Sequence, residues 1–151
     1  MFTLVPSGFF NPAAERETLA EVANIEKGTK VAHVEIPQYD AVLIYSVGED
    51  SDFSYPEIYN ILRDLPSCQD YNKILCSIVG DTLYLGIAQG KSLLLANSYE
   101  VQNFTSAEYF IFLAMKSLQL NPEVSTICWR TPLDADDEMS LYRYFKAVEK
   151  L

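Results

Sequence analysis

The sequence holds one histidine and one tryptophan, and its three cysteines, Cys68, Cys76 and Cys128, are scattered. With His33 as the only imidazole, no site that needs two can form, and no close cysteine pair is present to hold zinc or exchange disulfides. The cysteines are therefore read as reduced thiols. Positive charge is scarce as well: 11 Lys and Arg stand against 21 Asp and Glu, a formal net charge of -10. Affinity for phosphate backbones comes mainly from Lys and Arg displacing counterions, so nonspecific binding to DNA, RNA or anionic membranes is disfavoured. Long hydrophobic runs are missing too, since ~18 consecutive apolar residues occur nowhere. The start, Met1-Phe2-Thr3-Leu4-Val5-Pro6, has no basic region leading a long apolar stretch. No membrane insertion is expected. A cytoplasmic location is the default, the alternative being a signal removed from a longer precursor.

Catalytic motifs are absent in the same way. No serine sits in Gly-x-Ser-x-Gly, and no His/Cys pattern supports a nucleophilic hydrolase. Gln89-Gly90-Lys91-Ser92 imitates only the tail of a phosphate-binding loop, and it opens a strand, so it lacks helix-terminal N–H groups.

What is present is an ordinary globular composition, 49% hydrophobic and 21% charged, with 10 Tyr and 8 Phe to fill a core. At 151 residues the chain suits one compact domain or two small lobes and needs neither metal nor disulfide to fold. Thr3 to Val5 reads as a short strand stopped by Pro6, then a helix capped by Asn11 with Pro12 at its first position, running to about Ala23. Lys30 to Ile36 alternates as a half-buried strand, and Ala41 to Val47, apolar on both faces, suits a central one. Ser54 and Glu57 have capping-box spacing ahead of a helix with Ile58, Ile61, Leu62 and Leu65 on one side, closed by Pro66.

After the polar stretch Ser67 to Asn72 come three strands, Lys73 to Val79, Thr82 to Ala88 and Ser92 to Tyr99. The short links Gly80-Asp81 and Gln89-Gly90-Lys91 make them antiparallel hairpins. Thr105 and Glu108 have capping-box spacing for a helix whose buried stripe is read as Phe110, Leu113, Ala114, Ser117 and Leu118, stopped at Asn121-Pro122. Ser125 to Arg130 is a strand, Pro132 to Asp137 an acidic loop, and the last helix carries Leu141, Tyr144, Phe145 and Val148 on one face. The expected fold class is therefore α/β, with a second half βββαβα on a mixed sheet, the order that opens a ribonuclease H-like or actin-like lobe. The first half, starting from a strand with no upstream partner, reads as a partial lobe. Residues 1–68 and 69–151 are the expected lobes, and a complete first lobe would need its own meander before residue 1.

Phe2-Thr-Leu-Val-Pro-Ser-Gly-Phe-Phe-Asn11, Leu93-Leu-Leu-Ala-Asn-Ser-Tyr99 and Tyr142-Arg-Tyr-Phe145 resemble stretches of the DUF3822 family of uncharacterised Bacteroidetes proteins. That resemblance implies the fold of actin-like ATPases and PilM pilus-assembly proteins, with this chain similar to the C-terminal portion. It implies no established activity and no catalytic residues. Actin-like ATPases hold nucleotide phosphates on a hairpin turn of Asp-x-Gly type. The equivalent here, Val79-Gly80-Asp81-Thr82, has Gly and Asp reversed and no strand-borne carboxylate at Ser77 or Val79. A Gly-Asp link is also an ordinary hairpin turn.

Two readings of function follow. The first is a non-catalytic interaction or scaffold protein that meets a protein partner, or a second copy, through its cleft, an exposed edge or its terminal helix. There Tyr142 and Tyr144 are the candidate contacts. The alternative is a degenerate Mg-ATP-binding ATPase using Gly80, Asp81 and Thr82, with Asp134 or Asp136 contacting the metal. The acidic clusters Glu49-Asp50-Ser51-Asp52 and Asp134-Ala135-Asp136-Asp137-Glu138 precede helices, where negative charge is favourable against the helix dipole, and neither has calcium-loop spacing. His33 is read as an exposed or hydrogen-bonded structural residue, and Trp129 as core.

Overall fold

The structure, a computed structural model, describes residues 1–47 and 55–151. The expected Ser54 cap and the Glu49–Asp52 acidic cluster lie outside them. The chain forms two compact units, Met1–Pro56 and Glu57–Leu151.

In the first unit, β1 (Phe2–Pro6) and β2 (Lys30–Ile36) both pair antiparallel with β3 (Ala41–Val47), giving the order β1-β3-β2. The unbroken apolar run Ala41-Val42-Leu43-Ile44 is buried because β3 is the central strand. Pro6 closes β1 as its last paired residue instead of ending it early. Asn11 Oδ1 accepts the Ala13 N–H at 3.1 Å, so it does cap, but it caps a 3-10 turn, Pro12–Ala14. The helix proper, α1 (Glu15–Ala20), ends three residues short of expectation. Val22 and Ala23 both turn their N–H groups back on the Leu19 carbonyl, and the Arg16 guanidinium ties the following loop down by donating to the Glu26 and Thr29 carbonyls. His33 is hydrogen-bonded as expected, its Nδ1 2.6 Å from Glu15 Oε2, with the Phe10 ring 4.7 Å away.

The second unit is built on five strands: β4 (Asn72–Val79), β5 (Thr82–Gln89), β6 (Ser92–Glu100), β7 (Thr126–Trp129) and β8 (Ala147–Lys150). Their order is β6-β5-β4-β7-β8, an antiparallel meander on one side of β4 and parallel strands on the other. One face is covered by α2 (Glu57–Asp64), whose Ile58, Ile61 and Leu62 are fully buried with Leu65 just beyond. Gly86 on β5 makes this seat possible: a Cβ there would stand 2.6 Å from Ile61 Cγ2. The opposite face packs Ile74, Cys76, Leu83, Leu85, Ile87, Ile127 and Trp129 under α3 (Phe104–Ser117) and α4 (Ala135–Tyr142). Helices on both faces explain why β4 is buried along Ile74-Leu75-Cys76-Ser77. They also place α2 with the second sheet, whereas the sequence division after Cys68 assigned it to the first lobe.

Three expectations are corrected here. The terminal helix stops at Tyr142, and residues 147–150 become β8, parallel to β7. The spacing of Leu141, Tyr144, Phe145 and Val148 looks helical, but without β8 the outer edge of β7 would lack backbone partners. The α3 cap is Asn103, whose Oδ1 accepts the Ser106 N–H at 2.8 Å, and not Thr105. The buried stripe of α3 is Ala107, Glu108, Ile111, Ala114 and Met115, one position off the expected phase, which leaves Leu113 50% exposed.

Candidate functional site

Three places in the second unit have the geometry to act. The first is the carboxyl end of the parallel pair β4 and β7, where sheet direction switches and open α/β sheets most often bind ligands. Arg130 fills it. Its Nη1 lies 2.6 Å from Glu57 Oε1 and its Nε 2.9 Å from Asp64 Oδ2. Ser77 Oγ donates to the same Glu57 oxygen at 3.1 Å, Asn60 Nδ2 donates to the other at 3.1 Å, and Arg63 Nε donates to Asp64 Oδ1 at 2.9 Å. Bonding to Arg63, helped by the charge of Arg130, holds the Asp64 carboxyl below its usual range. Both carboxylates that could have met a metal are thus occupied by arginines, and no group of three or more metal-type ligands exists among the described residues.

The second place is the β4–β5 hairpin. Gly80 sits at φ 60, a backbone that favours glycine, and a Cβ there would meet nothing within 4 Å. Asp81 is exposed, and its carbonyl accepts the Val101 N–H at 2.8 Å. Thr82 pairs with Val79 across the turn and with Glu100 on β6. Of the acidic residues once grouped with them, Asp134 is the cap of α4, accepting the Asp137 N–H at 2.8 Å, and Asp136 is exposed in its first turn. Burial, with Asp134 and Asp136 alongside, raises the Asp137 carboxyl above its ordinary value.

The third place is a groove of about 540 Å³ between the end of α3 and the end of α4. Gln119, in the left-handed region at φ 59, reverses the chain after α3, and Leu120 N–H returns to the Met115 carbonyl at 2.9 Å. On the other wall, Tyr144 N–H donates to the Leu141 carbonyl and the ring of Tyr144 meets Phe112 edge-on at 4.9 Å. Phe112, Leu120 and Tyr144 form the apolar lining, with Lys116 and Arg143 beside them. Neither cation forms an ion pair among the described residues. Arg130 and Lys150, which line a smaller cavity of about 290 Å³ past the ends of β7 and β8, are each tied to carboxylates. The two tyrosines named from the sequence therefore part company. Tyr144 lines the groove, while the Tyr142 hydroxyl donates to the Val148 carbonyl at 3.3 Å and the ring is absent from the groove lining.

The model for the family described as "Protein of unknown function (DUF3822)" matches residues 1–148. The chain belongs to the DUF3822 family. No curated protein sequence matches it. A crystal structure from Bacteroides thetaiotaomicron VPI-5482, of a protein with actin-like ATPase fold and unknown function, superposes with a TM-score of 0.80 at 18% identity. The match covers 99% of this chain and 64% of that one. This DUF3822 chain therefore has an actin-like ATPase fold, and it spans under two thirds of the length of that similar protein.

Sequence reading missed two assemblies in this DUF3822 chain. The scattered cysteines converge: Cys128, with nearby Lys73, lowers the Cys68 thiol, while Cys68 and burial raise that of Cys128 and burial raises Cys76. The other is Glu108, expected as a helix-capping residue. It is 8% exposed and has Ser140 Oγ at 2.9 Å from both carboxylate oxygens, which links α3 to α4. No helix among the described residues is long and apolar enough to cross a membrane.

Proposed function

We propose that this DUF3822 chain is a non-catalytic interaction protein of actin-like fold that docks a protein partner in the groove between α3 and Tyr144. The observation that carries the reading is the groove itself: about 540 Å³, lined by Phe112, Leu120 and Tyr144, with two cations that form no ion pair among the described residues. A concave apolar site with a few convergent polar groups is the usual form of a binding site. A photo-cross-linking residue at Tyr144, in cells of the source organism, should give a defined protein adduct. The same residue at Leu94, exposed on β6, should not. Equal labelling from both positions, or none from Tyr144, would remove the reading.

The alternative, a Mg-ATP site at Gly80, Asp81 and Thr82, is supported by fold likeness alone, a weak warrant for function. Ligand at 100 times its dissociation constant adds about 2.7 kcal/mol of stability. Melting with and without millimolar Mg-ATP is expected to show no shift. A shift or an ATPase activity abolished by Asp81→Ala would replace the interaction reading with the nucleotide one.

A further inference from the structure

We infer that the partner presents an acidic polypeptide segment carrying a large apolar or aromatic side chain, laid along the outer face of α3 and anchored in the groove. The inference rests on the docking role proposed for the groove and adds the chemistry of the occupant.

Length argues for a polypeptide. Tyr109, Phe112, Leu113 and Lys116 fall within one arc of α3 at helical spacing, a track of about 10 Å at 1.5 Å per residue. It runs into the groove at Gln119 and Leu120. Tyr109 is 61% exposed and Tyr144 49%, so with Leu113 the face offers three large apolar groups to one partner. Such a spread exceeds what a single small ligand in the groove would touch.

Charge argues for an acidic one. The chain carries a net charge of -10, yet the only acid on α3 is Glu108, and it is buried against Ser140. The outward face of α3 is therefore without negative charge. Lys116 and Arg143 flank the groove and Glu123 is the single carboxylate in its lining. An acidic segment is repelled by most of this molecule and meets here two cations that form no ion pair among the described residues, although the Arg143 charge also acts on buried Glu108. This selects the site as well as the partner.

The experiment uses the full chain and three fluorescent 12-residue peptides with identical Leu and Phe anchors, separated by Asp and Glu, by Asn and Gln, or by Lys. By anisotropy the acidic peptide should bind at least about tenfold tighter than the neutral one at low salt, and the gap should close as salt screens it. The exposed double substitution Lys116→Gln/Arg143→Gln should bring acidic binding down to the neutral level. Tyr144→Ala, verified as folded by its melting transition, should weaken both. Acidic and neutral peptides binding equally, with both lost in Tyr144→Ala, would overturn the acidic preference and leave the groove as a docking site. The Lys peptide binding tightest, or none of the three binding, would overturn the inference as a whole, and cross-linking at Tyr144 then judges the groove separately.

Discussion

Replacing Arg130 by Met should show whether the carboxyl ends of β4 and β7 are closed by internal ion pairs. Arg130 makes two charge-assisted hydrogen bonds, to Glu57 at 2.6 Å and Asp64 at 2.9 Å. Hydrogen bonds to charged groups contribute about 1.5–3 kcal/mol each. Arg130 is 19% exposed and Glu57 16%, so solvent screens part of that. Asp64 keeps Arg63 as a partner, while Glu57 retains, among the described residues, the neutral donors Ser77 and Asn60. The loss therefore falls mainly on Glu57, and about 2–3 kcal/mol is expected, a drop in Tm on the order of 5–10 °C for a chain of this size. Urea unfolding of wild type, Arg130→Met, Glu57→Gln and the double variant closes a cycle whose coupling should reach about 1 kcal/mol or more. The pH dependence has a definite sign. Asp64 has a folded-state pKa depressed below its unfolded value, so its contribution is full above the usual carboxylate range. It is lost as pH falls through the depressed value. Arg63 supplies most of that depression in both proteins, so in acid the gap between wild type and Arg130→Met should narrow only by the smaller part that the Arg130 charge adds. A single-variant cost below about 0.5 kcal/mol, or strict additivity in the cycle, would refute the closed network.

Gly86→Ala forces a Cβ to within 2.6 Å of Ile61 Cγ2 and should cost about 1–3 kcal/mol by chemical denaturation. Ile61→Ala in the same chain should cost less than it does alone, because the new methyl group occupies vacated space; equal costs would mean that α2 does not pack on β5 as described. Ser140→Ala removes the hydroxyl beside Glu108 and should cost about 1 kcal/mol at neutral pH. Burial raises Glu108, so the folded state holds its proton more tightly, and this stabilisation is present below the unfolded pKa and lost as pH rises through the folded one. Glu108→Gln should then melt higher than wild type at pH 7 and at the same temperature in acid; a difference that grows in acid would contradict the sign. Cys68, Cys76 and Cys128 are buried and should resist a thiol-disulfide reagent until denaturant is added, when all three react; fast labelling of the native chain would show that the β4–β7 junction opens.

The succession of strands along the chain up to β7 was legible because each signal was local. Alternation marks β2, the unbroken apolar run of β3 follows from its central place, and two short polar links fix the β4–β5–β6 meander. Readings failed where a distant partner decided the outcome. Val148 belongs to a strand because the edge of β7 needed backbone partners, and its spacing from Leu141 carried no sign of that. Leu113 stands outward although its hydrophobicity marks it as core, because the phase of α3 is set by Ala107, Ile111, Ala114 and Met115 packing on the sheet. Cys76 and Cys128, remote along the chain, come near each other because β4 and β7 lie side by side in the sheet, with Cys128 opposite Leu75, and Cys68 joins them from the turn that precedes β4.

The same distinction explains why Tyr144 alone of the groove residues was named from the sequence as a candidate contact. Tyr144 drew notice as one aromatic among several near the terminus, but its place depends on α4 stopping at Tyr142. The chain turns there because Lys146 N–H reaches the Ser125 carbonyl at 3.0 Å, drawing residues 143–146 over the start of β7 and setting Tyr144 against Phe112. Phe112, Lys116 and Arg143 carry no motif and come to line one groove only through that turn. At the carboxyl ends of β4 and β7, where this fold class most often places its chemistry, the ion pairs of Arg130 take up the carboxylates of Glu57 and Asp64. Exposed aromatic rings and two cations without an ion pair among the described residues occur together along α3 and its groove, which is the ground on which the proposed docking surface is placed there and not at the strand ends.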